Sequence, residues 1–328
     1  MLFGKNIRSI HFCEQCMPRP RKELICVEQT PYYHCVSRCV RRACLCGKDS
    51  FTGKSYEHRR GWVERRLYFL ARVFAIDLCA YAVMSNHTHV VLRVATERAQ
   101  QWSNKHVLRQ WHKLHRGTRL TQLYAQGATL SQAERATVNA CVSVYRQRLQ
   151  SISWFMRELN EYIARQANKE DDCTGRFWEG RFKSQALLDE AALLSCMVYV
   201  DLNPLRAGMV IAPEDARFTS IAARIRAFKT RRQPPRLMPF IPPTGISNSL
   251  HLPLSTTDYI TLVDYTGRCI AANKKGVIPA SLLPILERIH VDQAHWLSVT
   301  QKFEQHFRGA ASAPLSTQKA LNTYCTVA

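Results

Sequence analysis

Residues 73–94 read VFAIDLCAYAVMSNHTHVVLRV, two apolar runs joined by the short connection Met84-Ser85-Asn86-His87. Each run has the length of a strand, around 73–83 and 88–94, and the connection suits a tight antiparallel turn. The second run opens His87-Thr88-His89-Val90-Val91-Leu92. Side chains alternate across a strand, so His87 and His89 project from one face and Thr88 from the other. Two neighbouring neutral imidazoles are half of a divalent-metal site. They are also compatible with a pair of hydrogen-bonded surface histidines. No third His or Cys stands nearby in sequence, so a further ligand must come from elsewhere in the chain.

Working outward, Pro31 precedes a strand-like run from Tyr32 to Val40, followed by the basic turn RRACLCGKDS. Residues 56–72 place Trp62, Leu67, Phe69 and Leu70 among charges, the pattern of an amphipathic helix. Beyond the paired strands, 98–116 reads as a basic helix, 117–131 as a loop, and 132–168 as helical, with 117–150 an insertion. RFWEGRFKSQALL, over 176–188, reads as a strand. An apolar helix over 188–202 is halted by Asn203-Pro204, because proline disfavours the helical state in its predecessor. This order predicts an α+β domain over 17–223, one sheet with helices on one face. Residues 1–16 read as a disordered extension and 224–243 as a basic, proline-rich linker. Residues 244–328 are expected to form a small, mainly helical accessory region.

The 328 residues carry 46 Lys and Arg against 25 Asp and Glu, a formal charge of +21 spread along the whole chain. Such a field favours polyanions, above all nucleic acid. No segment approaches the roughly 20 apolar residues of a membrane span. No apolar run of signal-peptide length opens the chain. Most of the 13 cysteines stand singly within apolar runs, which predicts reduced thiols and a cytoplasmic protein. Cys13-x-x-Cys16 is half of a structural zinc site, with His11 and Cys26 as nearest complements, or simply two thiols. Residues 98–133 hold no acid but include Arg109 and Lys113, with Trp102, Trp111 and Tyr124 interspersed. Cations that track phosphates and aromatics that stack on unpaired bases suit a single strand. A solvated helix face with its tryptophans turned inward fits equally. Arg176, Trp178, Arg181 and Lys183 form a second candidate strip, and Arg19, Arg21 and Lys22 a third.

The remaining chemical feature is Tyr199-Val200-Asp201-Leu202-Asn203-Pro204-Leu205-Arg206-Ala207-Gly208. On a helix, Tyr199 and Asn203 share a face one turn apart. A phenol with an ordinary pKa near 10 is a weak nucleophile, yet beside a metal-bound phosphate it can attack phosphorus. The alternative is that Tyr199 packs, Asn203 ends the helix, and Pro204 and Gly208 shape its exit.

Together, His87-Thr88-His89 on a strand and a late helix ending Tyr-x-x-x-Asn-Pro-x-Arg-Ala-Gly resemble the single-tyrosine HUH transposases. The likeness is to the transposase IS200-like domain, in its REP-associated tyrosine transposase branch. Arg19-Pro20-Arg21-Lys22, Pro31-Tyr32-Tyr33-His34 with Arg38 and Arg42, and GRFWEGRFKSQ add to a resemblance that covers about residues 17–212. It implies a ferredoxin-like HUH fold with a central antiparallel sheet carrying the histidines. It implies that His87 and His89 bind magnesium or manganese, with Asn203 as the polar third ligand and Tyr199 as the nucleophile. Arg38 joins the basic residues expected to contact DNA. The implied activity is nicking and rejoining of single-stranded DNA beside hairpins through a 5′-phosphotyrosine, by a monomer or a homodimer. Thr88 departs from the bulky apolar residue usual between the histidines, and its outward direction predicts tolerance. Two other readings stay open: a non-catalytic hairpin DNA- or RNA-binding protein, and a metal-dependent hydrolase that does not need Tyr199.

Overall fold

The strand pair at 73–94 forms the middle of the molecule in the computed structural model, which describes residues 25–40, 45–49, 52–230, 232–234, 236–241, 250–270 and 310–311. Strand β1 spans Tyr32–Arg38, β2 Ile76–Val83, β3 His87–Val94 and β4 Lys183–Leu187. They form an antiparallel sheet ordered β2-β3-β1-β4, and a two-residue strand, β5 (Ala310–Ala311), adds in parallel to β4. Helix α1 (His58–Val73) crosses from β1 to β2. Five helices cross from β3 to β4: α2 (Thr96–Gln101), α3 (Asn104–Trp111), α4 (Arg119–Ala125), α5 (Gln132–Leu149) and α6 (Ile152–Glu170). The result is the split βαβ, ferredoxin-like arrangement.

The crossover helices cover one face of the sheet. Helix α1 buries Val63, Leu67, Leu70 and Val73, three or four residues apart, so the apolar stripe passes between Trp62 and Phe69 rather than through them. Its first turn also buries Arg59 and Arg60. Arg59 pairs with Glu170 (2.6 Å) and Asp171 at the end of α6, while Arg60 binds Glu57 (2.7 Å) and the Val83 carbonyl. The break between α5 and α6 falls at Gln150-Ser151, where the Ser151 hydroxyl accepts from Trp154 N–H. Residues 119–125 are helical where the sequence predicts a loop, because Thr118 and Thr121 form a capping box at their start. Of the strand predicted over 176–188, only Lys183–Ala186 pairs along β1; Trp178 makes a single bridge to Cys39.

Helices pack on the opposite face as well, which the one-face expectation did not include. Helix α7 (Glu190–Asp201) is capped by Asp189, whose carboxylate accepts from Ala192 N–H at 2.7 Å. It is buried nearly all round, because the sheet lies on one side and α10 (Thr256–Ile270) on the other. A bulge in β2 sends both Cys79 and Ala80 toward α7, before Tyr81 and Val83 return to the α1 side.

The linker predicted from residue 224 begins later. Helix α9 (Ser220–Lys229) runs through that point, and Arg224 is fully buried, donating to the carbonyls of Cys79 and Met238. Met238 N–H in turn reaches Leu78 O at 2.8 Å, so residues 237–238 cover the outer edge of β2. Residues 1–16 and the helical patterns predicted beyond 270 lie outside the described residues. No helix among the described residues is long and apolar enough to cross a membrane.

One buried acid ties these pieces together. Asp201, in the last turn of α7, accepts from the Ser220 hydroxyl, Ile221 N–H (2.9 Å) and the Tyr259 hydroxyl (2.6 Å). Burial outweighs these bonds and raises its carboxyl to about 6. A carboxyl held about two units high favours the folded state below about pH 4, and that contribution is lost as pH rises through 6, a swing of about 3 kcal/mol. Asp201→Asn keeps the side-chain shape without the titration. Relative to wild type, this variant is expected to gain stability on going from pH 4 to pH 7, as read by urea unfolding at both. A pH-independent difference would refute this account of Asp201.

Candidate active site

The histidines stand where the register of β1 on β3 places them. Arg38 lies opposite His87, Val36 opposite His89 and His34 opposite Val91. The turn before His87 is closed by Met84 N–H to His87 O at 2.9 Å. His34, His87 and His89 all project toward α7, with His89 at the centre. Its ring is stacked on His34 (5.2 Å between centroids, 10° between planes) and meets His87 edge-on at 4.8 Å. Thr88 faces the other way, opposite Ser37 in the buried α1-side core, and its hydroxyl finds no partner among the described residues.

Helix α7 brings Tyr199 over this group, its ring 5.6 Å from His89 and 6.2 Å from His34. One turn on, Asn203 Nδ2 lies 3.2 Å from His89 Nε2. Asn203 opens a single further turn, α8 (Asn203–Arg206), whose end is a Schellman motif: Met209 N–H donates to Pro204 O and Gly208 N–H to Leu205 O. Gly208 supplies the left-handed residue, at φ 65°. This exit carries the Arg206 guanidinium back over the Tyr199 ring at 5.0 Å. Burial lowers Arg206 to about 10, Tyr199 acting in the opposite sense. A cation so placed favours a phenolate or a phosphate beside the tyrosine. The four residues singled out by spacing, His87, His89, Tyr199 and Asn203, are thus drawn together from elements more than a hundred positions apart, all within one chain.

Burial also sets the charge of the imidazoles. It pushes His34 down to about 4 and His87 to about 4, with Arg38 adding to the effect at His87. His89, buried and flanked by His34, His87 and Arg38, lies well below the usual histidine range. All three are neutral near pH 7. Asn86 Oδ1 sits 2.6 Å from His87 Nδ1 and accepts its proton, which turns the Nε2 lone pair outward. His89 Nδ1 lies 3.0 Å from His34 Nε2, and Gln185, opposite His34 on β4, accepts from the His34 ring. With the His34 proton on Nδ1, its Nε2 must accept from His89 Nδ1. The His89 Nε2 lone pair then points at Asn203, whose amide donates to it. His34, Gln185 and Arg206 were not assigned roles in the sequence, though all three sit inside the quoted motifs. Among the described residues no cluster of three or more His, Cys, Asp or Glu side chains is arranged to hold a metal ion. The donor group here is two imidazoles and an amide.

The expected DNA-contacting residues divide. Arg38 is exposed beside His87. Arg109 and Lys113 are exposed on and just after α3, but Trp111 between them is buried, stacked on Tyr145 at 4.5 Å, and unavailable to a base. Arg176, Arg181 and Lys183 are exposed, whereas Trp178 is half-buried and its indole N–H donates to Asn160 O at 2.8 Å. Cys13, Cys16, Arg19, Arg21 and Lys22 lie outside the described residues, as does Arg42. None of the described cysteines forms a disulfide.

No family model matches the chain, and no curated protein matches it. Among solved structures, a REP-associated tyrosine transposase bound to a REP hairpin aligns with 71% of this chain and 99% of its own length. Its TM-score is 0.38 at 12% identity, a distant likeness.

Two outcomes are expected of this geometry. Thr88→Val removes a buried hydroxyl without a partner while keeping the shape, and should stabilise the fold by about 1 kcal/mol in urea unfolding. In metal-free protein labelled with 15N-histidine, long-range 1H–15N spectra should show His87 and His89 both as the Nδ1–H tautomer. An Nε2–H tautomer at His89 would break the proposed chain from Gln185.

Proposed function

We propose that this chain is a metal-dependent tyrosine transposase that cleaves and rejoins single-stranded DNA beside hairpins. The observation that carries the reading is the meeting of Tyr199 and Asn203 with His89 and His87 on one face of one sheet. It joins the two motifs on which the family resemblance rests.

His87 Nε2, His89 Nε2 and the Asn203 amide would hold the divalent ion. Their chemistry fits: both imidazoles are neutral, and each has its other nitrogen engaged, by Asn86 or by His34. Such outer partners orient a ligating histidine. Asn203 stands 3.2 Å from His89 Nε2, so the amide and the imidazole would reach one ion together. Loading requires the amide to turn, so that Asn203 offers its oxygen instead of donating to His89. Two imidazoles and one amide suit manganese better than magnesium, which prefers oxygen ligands throughout. When bound, the ion withdraws charge from the scissile phosphate and eases attack on it.

The chain's own groups do the rest. Arg206 lies over the Tyr199 ring and stabilises the phenolate as its proton leaves for solvent. The phenolate oxygen would form the bond to phosphorus as the bond to the 3′-oxygen breaks, and the departing 3′-oxyanion takes up a proton to become a 3′-hydroxyl. The 5′-phosphotyrosine preserves the phosphodiester energy, so a second 3′-hydroxyl can reverse the step without ATP. Arg38, next to His87, is placed to hold a non-bridging phosphate oxygen.

The test is denaturing electrophoresis of the full chain with labelled hairpin DNA carrying single-stranded flanks and added manganese. Wild type should yield a protein-linked DNA band that Tyr199→Phe abolishes and His87→Ala reduces at least 100-fold, while Tyr199→Phe still binds the hairpin. Binding without any linked band, across a panel of hairpins, would replace this reading with the non-catalytic one. Metal-dependent cleavage that survives Tyr199→Phe would indicate a hydrolase.

A further inference from the structure

Beside the histidine site lies a cleft of about 1010 Å³ that neither motif accounts for. It opens between α1, which contributes Trp62 and Arg65, and the segment after α8, which contributes Arg217, Phe218 and, from α9, Arg226. Of its other lining residues, Pro204 follows Asn203 in sequence, while Val83 pairs with Thr88 on the face of the sheet turned away from the histidines.

The cleft's charges are unequally committed. Arg65, Arg217 and Arg226 are exposed, and no acid pairs with their guanidinium groups among the described residues. The acids of the same walls do not balance them. Glu57 pairs with Arg60 at 2.7 Å; Glu64, which accepts from the Tyr81 hydroxyl at 2.6 Å, and Asp215 are in no ion pair among the described residues, so the three free guanidinium groups outnumber the two free acids. Two aromatic rings stand among the uncommitted cations. Trp62 is half-exposed, and Phe218, also half-exposed, has Arg217 over it at 5.7 Å.

We propose that this cleft is the track for the unpaired strand of DNA that leads to Tyr199, a reading that rests on the function proposed above. Three cations spaced around a concave surface neutralise successive phosphates, and the two rings offer stacking faces. An intact duplex keeps its bases stacked on each other and has no face to give them, so the cleft selects single strand over duplex. The hairpin stem is held elsewhere.

The test uses the full chain, fluorescence anisotropy and two labelled DNAs, a hairpin with a single-stranded flank and the same hairpin with a blunt end. Wild type is compared with the triple variant Arg65→Gln, Arg217→Gln, Arg226→Gln, whose fold is checked by circular dichroism. At about 0.1 M salt the variant should bind the flanked hairpin about 100-fold more weakly. Its salt dependence should flatten by about 2 in the slope of log K against log salt, the share of three phosphates on a single strand. Affinity for the blunt hairpin should not change. Wild-type affinity and slope in the variant would overturn the track while leaving the chemistry of Tyr199 standing. Equal losses on both DNAs would overturn it too, since the cleft would then hold the stem. An RNA flank that competes as well as the DNA flank would overturn the assignment to DNA. Failure of the wild-type chain to bind either substrate would overturn this proposal together with the function on which it rests.

Discussion

The packing of α7 onto the histidine face of the sheet is the constraint from which the site's chemistry follows. A helix buried nearly all round removes water from His34 and His89, and a charged imidazole there would lose its hydration with no carboxylate to replace it. The rings are therefore neutral, and a neutral ring has one lone pair to offer and one proton to place. Where those protons go is decided by partners on three other elements: Asn86 in the turn, His34 on β1 and Gln185 on β4. The same packing lowers Tyr199 and Asn203 onto His89. Had α7 been an ordinary amphipathic surface helix, its last turn would face solvent and the histidines would titrate in the physiological range.

Such packing has to be held from behind, and the means is polar. Asp201 sits two residues after Tyr199 and binds α9 and α10 through Ser220, Ile221 and Tyr259. Arg224 lies buried close by, over Phe240 at 4.2 Å and bonded to two carbonyls. An apolar contact would leave α7 able to slide or rotate, since apolar surfaces accept many registers. Directional bonds to a single carboxylate permit few. Burial costs Asp201 its hydration, and its bonds to α9 and α10 fix the rotation of α7 and so the aim of Tyr199. Residues well past 212, where the family resemblance ends, thereby take part in positioning the tyrosine.

The sequence was most legible where chemistry repeats at short spacing. The strand period places His87 and His89 on one face, the helix period places Tyr199 and Asn203 on another, and the turn at 84–87 follows from a polar gap between apolar runs. What could not be read is what depends on pairing across distance. His34 reaches His89 only because β1 and β3, 55 residues apart at that contact, align in one particular register. A one-residue slip would turn His34 into the opposite core. Arg224 looked like the first residue of a basic linker, because a buried arginine bonded to distant carbonyls leaves no local signal. Whether Trp111 faces a base or the core stayed open for the same reason: its partner, Tyr145, comes from another helix.

The net charge shows the same limit and how structure refines it. A formal +21 predicts an affinity for polyanions but not a surface for it. Part of that charge proves to be internal. Arg59, Arg66 and Arg93 are engaged by Glu170, Glu158 and Asp77, and Arg224 by main-chain carbonyls. Cations already engaged inside the fold release few counterions when a nucleic acid arrives, and so contribute little to binding it. The informative count is of exposed guanidinium groups without an acid, and where they gather. Arg38 stands beside His87, while Arg65, Arg217 and Arg226 line a cleft that reaches Pro204, the residue after Asn203. Electrostatic attraction is thus carried by exposed guanidinium groups that no acid engages, and in the proposed reading those of the cleft guide the unpaired strand.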